Sequence, residues 1–190
     1  MDLGKNNLGN DGLVELLKGV ARNTTLVSMD IGSNDIMLDG AGHLFNRLKF
    51  HPSLSILNIA NHDRLHRNRI GIQACRDLRD LLYENKILSQ LNIADNRIGN
   101  DGLNVIAPAL NQNCTLAILN LMNNDLEGAT IVSCLSNYLK STRNLLEINL
   151  SGNNIGDETL IKFSNIFQDN TCHLQKLELS NCNMTSVGVS

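Results

Sequence analysis

Two histidines four residues apart, His62 and His66, stand in the stretch His62-Asp63-Arg64-Leu65-His66-Arg67. On a helix that spacing sets both imidazoles on one face, where Asp63 would join them as a metal ligand set. In a loop, the same histidines with Arg64 and Arg67 form a cationic patch whose charge follows pH. A loop of this kind on a rigid scaffold would contact a protein partner, and an inert solvated insertion is the plainest alternative. Elsewhere no nucleophile is paired with a base, no glycine-rich phosphate loop occurs, and every carboxylate pair is explained by its place in a repeating pattern. No cofactor is therefore expected, and a metal-assisted enzyme would rest on this stretch alone.

The elements that position the stretch recur along the chain. Residues 88–100 read Leu-Ser-Gln-Leu-Asn-Ile-Ala-Asp-Asn-Arg-Ile-Gly-Asn, the pattern L-x-x-L-x-L-x-x-N-x-L, which returns at 26–36, 116–126, 145–155 and 174–184. This is the core of a leucine-rich repeat. Its asparagine place is filled by Asn6, Asn34, Asn68, Asn96, Asn124, Asn153 and Cys182, at spacings of 28, 34, 28, 28, 29 and 29 residues. Comparing the third repeat with the fourth shows where the 34-residue coil differs. Residues 62–67 are six extra residues, placed just after a strand.

Coils of 28 or 29 residues leave room for a helix after each strand. Leu103, Ile106, Ala107 and Leu110 fall at i, i+3, i+4 and i+7, a buried helical stripe, as do Leu13, Leu16, Leu17 and Val20, and Ala41, Leu44, Phe45 and Leu48. Later coils supply Leu78 and Leu82, then Ile131, Cys134, Leu135 and Tyr138, then Leu160, Phe163 and Phe167. Gly99-Asn100-Asp101-Gly102 provides a turn, and its Asn or Asp is expected to cap the helix that follows. Pro108 is expected to kink that helix. Each strand–helix unit leaves an apolar flank uncovered, so the units must stack. The expected fold is α/β, a right-handed leucine-rich-repeat solenoid (a horseshoe segment) with a parallel sheet on the concave face and helices on the convex face. It forms one domain over 1–190, of about seven repeats with the first and last incomplete. Asn34, Asn96, Asn124 and Asn153 would serve the scaffold, their amides satisfying backbone groups where the chain leaves the sheet.

In L-x-x-L-x-L the residue between the second and third apolar positions points away from the core. That column holds Asp2, Asp30, Asn58, Asn92, Asn120, Asn149 and Glu178, an amide spine with acidic ends. Ser28, Ile56, Gln90, Ile118 and Glu147 lie on one side of it, and Ala60, Ala94, Met122 and Ser151 on the other. Such a face reads either as a docking surface anchored near Ile118 and Met122 or as a solvated face with no partner.

The runs Asn6-Asn7-Leu8-Gly9-Asn10-Asp11-Gly12-Leu13, Asn96-Arg97-Ile98-Gly99-Asn100-Asp101-Gly102-Leu103 and Asn153-Asn154-Ile155-Gly156-Asp157 resemble the ribonuclease-inhibitor-like leucine-rich repeats. The likeness covers nearly the whole chain. It implies protein binding on the concave face, in a family of inhibitors, GTPase-activating scaffolds, actin-end binders and innate-immune sensor arms. The five cysteines and the absence of tryptophan depart from the inhibitors of that family.

Composition narrows the partners. The chain has a formal charge of −3 and only 3% aromatic residues, which gives neither a basic stripe for phosphates nor platforms for stacking bases, so no nucleic acid is expected. No run approaches the length of a membrane span and no basic leader opens the chain, so no membrane is expected either, and the localisation read from this is cytoplasmic. Repeat position accounts for Cys75, Cys114, Cys134, Cys172 and Cys182 without disulfides. The sequence thus predicts a non-catalytic scaffold that binds a protein partner through its concave face (Asp30, Asn58, Asn92, Ile118, Asn120, Met122, Asn149, Glu178) and its rim (His62, Asp63, Arg64, His66, Arg67). The alternative is a segment of a larger sensor or GTPase-regulating protein. Met1 enters part-way through a repeat and 184–190 stops where a helix is due, without polar caps, so end-to-end association with another copy is also expected to be possible.

Overall fold

A computed structural model describes residues 1–62, 65–168 and 172–186. Strands and helices alternate: α1 (Gly9–Val20), β1 (Ser28–Asp30), α2 (Leu38–Leu48), β2 (Ile56–Asn58), α3 (Gly71–Glu84), β3 (Gln90–Asn92), α4 (Gly99–Gln112), β4 (Ile118–Asn120), α5 (Gly128–Ser141), β5 (Glu147–Asn149), α6 (Gly156–Gln168) and β6 (Lys176–Glu178). The six strands form one parallel sheet in chain order. Met29, Leu57, Leu91, Leu119, Ile148 and Leu177 stand side by side as its inward row. A bridge from Asp2 to Asp30 adds the first turn to the same ladder. This is the α/β leucine-rich-repeat solenoid, with strands lining the concave face and helices the convex one.

The strands are short because the chain turns sharply at their ends. Ser33, Asp95, Asn123 and Asn181 adopt positive φ there, mostly residue types that tolerate the left-handed region. The expected stripes are buried: Leu103, Ile106, Ala107 and Leu110 on α4, and Ala41, Leu44, Phe45 and Leu48 on α2. One stripe expectation fails: Phe167 is 40% exposed, with Ile166 taking the buried place on α6. Pro108 lies inside α4, which runs unbroken from Gly99 to Gln112, at an exposed position. The five cysteines are free thiols, and burial pushes Cys75 up to about 12.

The capping expectation is also corrected. α1 and α4 have no side-chain cap. Asn10 and Asn100 instead accept from the next repeat, their Oδ1 atoms receiving the Met37 N–H (2.8 Å) and the Glu127 N–H (2.9 Å). These residues stitch neighbours together rather than starting their own helix.

Two polar ladders hold the stack. At the strand exits, Asn124 Nδ2 donates to the carbonyls of Ile93 (2.9 Å) and Met122 (3.1 Å), while its Oδ1 accepts from the N–H groups of Asn96 (3.0 Å) and Ile98 (3.3 Å). Asn153 and Asn68 do the same for their preceding turns. At the strand entries a second ladder runs through His51, Asn85, Asn113 and Thr142. Asn85 and Asn113 each donate back to the preceding repeat and accept two N–H groups of their own turn. His51 reproduces those contacts with a ring: Nδ1 accepts from Ser53 and Leu54, so Nε2 carries the hydrogen offered to the Val20 carbonyl (3.2 Å).

Two rungs are incomplete, those of Asn34 and Asn96, whose Oδ1 atoms are buried with no partner. The inserted residues bring Asn61 against Asn68, whose N–H donates to Asn61 Oδ1 (2.6 Å), and Asn96 Oδ1 is left buried with no partner. Asn124→Ala should therefore destabilise the chain by about 3 kcal/mol, because it strands buried groups on both sides, whereas Asn96→Ala should cost at least about 1 kcal/mol less. Urea denaturation at one pH compares the two. Equal losses would show that the orphaned oxygen has no energetic consequence.

Candidate functional site

The concave face is built by the sheet register. Asp30, Asn58, Asn92, Asn120, Asn149 and Glu178 occupy one row, and Ser28, Ile56, Gln90, Ile118, Glu147 and Lys176 the row beside it. Both rows are half-buried apart from exposed Lys176, in alternation with the inward apolar row. The structure therefore brings together all the face residues named from sequence except Met122, which sits two residues beyond Asn120 and is also half-buried. The other members of the third row, Ala60, Ala94 and Ser151, are buried and do not contribute surface.

Between these rows runs a trough. Asp30, Ile56, Asn58, Gln90, Asn92, Ile118 and Asn120 line a hollow of about 340 Å³. A second hollow of about 150 Å³ shares Ile118 and Asn120 and continues to Glu147, Asn149, Lys176 and Glu178. The far end is partly neutralised, since Lys176 Nζ lies 2.6 Å from Glu178 and 3.8 Å from Glu147. Glu178 raises the Lys176 pKa through its hydrogen bond and charge.

The row of amides has a second duty that the sequence reading missed. Each side-chain Oδ1 accepts the N–H two residues on: Asp30 from Gly32 (2.8 Å), Asn58 from Ala60 (3.1 Å), Asn92 from Ala94 (3.2 Å), Asn120 from Met122 (3.0 Å) and Asn149 from Ser151 (2.9 Å). Asn and Asp favour this local turn, which closes each strand. Their recurrence two residues before the turn was the signal available.

His62, Leu65, His66 and Arg67 are the described residues of the insertion; Asp63 and Arg64 lie outside the described residues. His62 donates its N–H to Ser33 Oγ (2.7 Å), and its Nε2 stands 4.0 Å from Asp30 Oδ2 and 3.3 Å from Asn58 Nδ2. His66 Nδ1 meets Asp35 Oδ2 at 2.7 Å, and Arg67 Nη2 donates to both oxygens of Asp95 at 2.6 Å. The expected cationic patch is thus an interleaved set of pairs, because each described basic group faces an aspartate of a neighbouring repeat. The two histidines face different aspartates instead of converging on one point. Gly32 makes room for this packing: a Cβ there would stand 2.6 Å from the Ala60 carbonyl and 2.7 Å from His62 Nε2.

Known proteins share the repeat pattern. The family described as Leucine Rich repeat matches residues 84–107, 142–164 and 170–190. The mouse Ribonuclease inhibitor is 32% identical over 115 residues, 59% of this chain and 25% of that protein. The chain is a leucine-rich-repeat solenoid similar to the ribonuclease inhibitor. Human NACHT, LRR and PYD domains-containing protein 3 is 28% identical over 194 residues, covering 97% of this leucine-rich-repeat chain but 17% of the relative. The macaque protein of that name is 28% identical over 192 residues, with the same coverage. The chain therefore spans between about a sixth and a quarter of the length of these curated relatives. A solved structure, "Leiomodin-1 Actin-Binding Site 2 (ABS2)", superposes with a TM-score of 0.68 at 22% identity, over 82% of this chain and 87% of that one, which bears on the fold. Among the described residues no helix is long and apolar enough to cross a membrane.

Removal of 62–67 joins Asn61 to Asn68 directly, as Asp95 joins Asn96, and restores a 28-residue coil. The pairs lost are partly exposed and contribute roughly 0–1 kcal/mol each, while Asn68 N–H becomes available to Asn96 Oδ1. The shortened chain should fold with stability within about 1 kcal/mol of the parent. A loss above about 3 kcal/mol in urea denaturation would instead make the insertion part of the core architecture.

Proposed function

We propose that this chain is a non-catalytic interaction module that binds a protein partner in the trough of its concave face, with the rim at 62–67 as a secondary contact. The observation that carries this reading is the trough itself. It is continuous over four strands, and it sets half-buried Ile56 and Ile118 beside polar side chains on a sheet whose inward residues are fully packed. A concave mixture of apolar and hydrogen-bonding groups is the usual form of a recognition surface. The relatives support the reading at the level of class: one is named as an inhibitor of a protein, and the structural neighbour is titled as an actin-binding site. The rim contributes through exposed Leu65, which stands beside the paired His66 and Arg67.

Ile118→Arg places a charged side chain in the middle of the trough without disturbing the inward Leu119. Capture of partner protein from an extract of the source cells should fall at least tenfold for this variant, with the melting temperature unchanged. A convex control, Ile161→Arg at a position 53% exposed on α6, should capture as the parent does. Equal capture by the parent and by Ile118→Arg would exclude the concave face as the binding surface.

A further inference from the structure

Asn92 and Asn120 stand side by side at the centre of the trough. The N–H groups of Ala94 and Met122 donate to their Oδ1 atoms. A backbone N–H can only donate, so chemistry settles which end of each amide is oxygen. Each Nδ2 is left as the outward group. On the flanking strands the equivalent nitrogens are engaged, Asn58 Nδ2 by Asp30 Oδ2 at 2.6 Å and Asn149 Nδ2 by Glu178 Oε2. Among the described residues, no atom of the chain accepts from Nδ2 of Asn92 or of Asn120. The middle of the face is therefore a pair of oriented donors.

We infer that Asn92 and Asn120 clamp a single carbonyl oxygen of an extended, basic segment of the protein partner; this rests on the concave-face reading above. Neighbouring strands lie about 4.8 Å apart. Two nitrogens at that separation, each about 2.9 Å from one oxygen, subtend an angle of roughly 110° there. A carbonyl oxygen carries two lone pairs and accepts two such donors in this geometry. A helix uses its carbonyls internally, so the segment that offers one is extended or irregular. Its apolar side chains lie against Ile56 and Ile118, in the row beside the amides. A carboxylate is the wrong acceptor, because Asp30, Glu147 and Glu178 line the same two hollows, whose lining has Lys176 as its one basic residue. The same carboxylates favour Lys or Arg on either side of the clamped carbonyl.

Asp2 and Asp30 already make the strand-closing bond in this row, accepting from Gly4 (2.9 Å) and Gly32 (2.8 Å). Asn92→Asp with Asn120→Asp therefore keeps the turns and turns two donors into acceptors. The probe is a displayed library of random 12-residue peptides selected on the parent chain. Selected peptides should be rich in Lys and Arg and should bind the double variant at least tenfold more weakly, at an unchanged melting temperature. Should the double variant melt lower, the single variants serve, each expected to lose at least threefold. Peptides that bind the Asp variants as tightly as the parent but lose Ile118→Arg would overturn the clamp and leave the concave-face reading standing. Peptides indifferent to all three substitutions would overturn both. A selection enriched in acidic peptides, or one yielding no peptide that distinguishes the parent from the Asp variants, would overturn the clamp.

Discussion

Backbone groups that leave a sheet must find partners, and in a solenoid this happens twice per coil. The chain solves it with side chains that reach into the preceding repeat: Asn68, Asn124 and Asn153 at the strand exits, and His51, Asn85 and Asn113 at the entries. The packed leucines hold the layers at contact distance, but they have no preferred depth along the strand. The ladders do. Because each rung bonds specific carbonyls and amides of its neighbour, they fix the register that sets the concave rows side by side. The concave surface is thus a by-product of backbone satisfaction.

The insertion tests how local that solution is. Six residues enter between Asn61 and Asn68, yet Asp30, Asn58 and Asn92 remain in register across it. Asn61 bridges the gap, receiving the Asn68 N–H and donating Nδ2 to the carbonyls of Asn68 and Asp95. The disturbance leaves two buried atoms without partners, Asn96 Oδ1 and Arg67 Nε. Around it, Asp35 and Asp95 hold the histidine and arginine of the insertion through polar contacts, and Leu65 is exposed.

Most of the fold was legible because one period carries it. The leucine positions, the asparagine phase and the helical stripes each repeat, so an error at one coil is corrected by the others. What was not legible depends on contacts between coils. Asn10 and Asn100 look like helix caps from their place beside a glycine, and only the stacked neighbour shows that they serve the following turn. Phe167 fits its stripe by spacing, but no spacing reveals what covers it. The concave residues were found from strand alternation alone. Their division into engaged and outward nitrogens was not, because Asn58 and Asn92 are the same letter and differ only in what stands beside them.

The turn that closes each strand demands one oxygen and nothing more. Asparagine and aspartate both provide it, and the row contains both. At the central coils, where Asn92 and Asn120 spend only their oxygen on the turn, the second atom of the side-chain head is chosen without reference to folding. The inner face behaves as a tape on a rigid reel, written in a two-character alphabet: one character donates and is neutral, the other accepts and is charged. A lineage can rewrite such a tape one character at a time, changing what the surface attracts while the spool beneath keeps its shape.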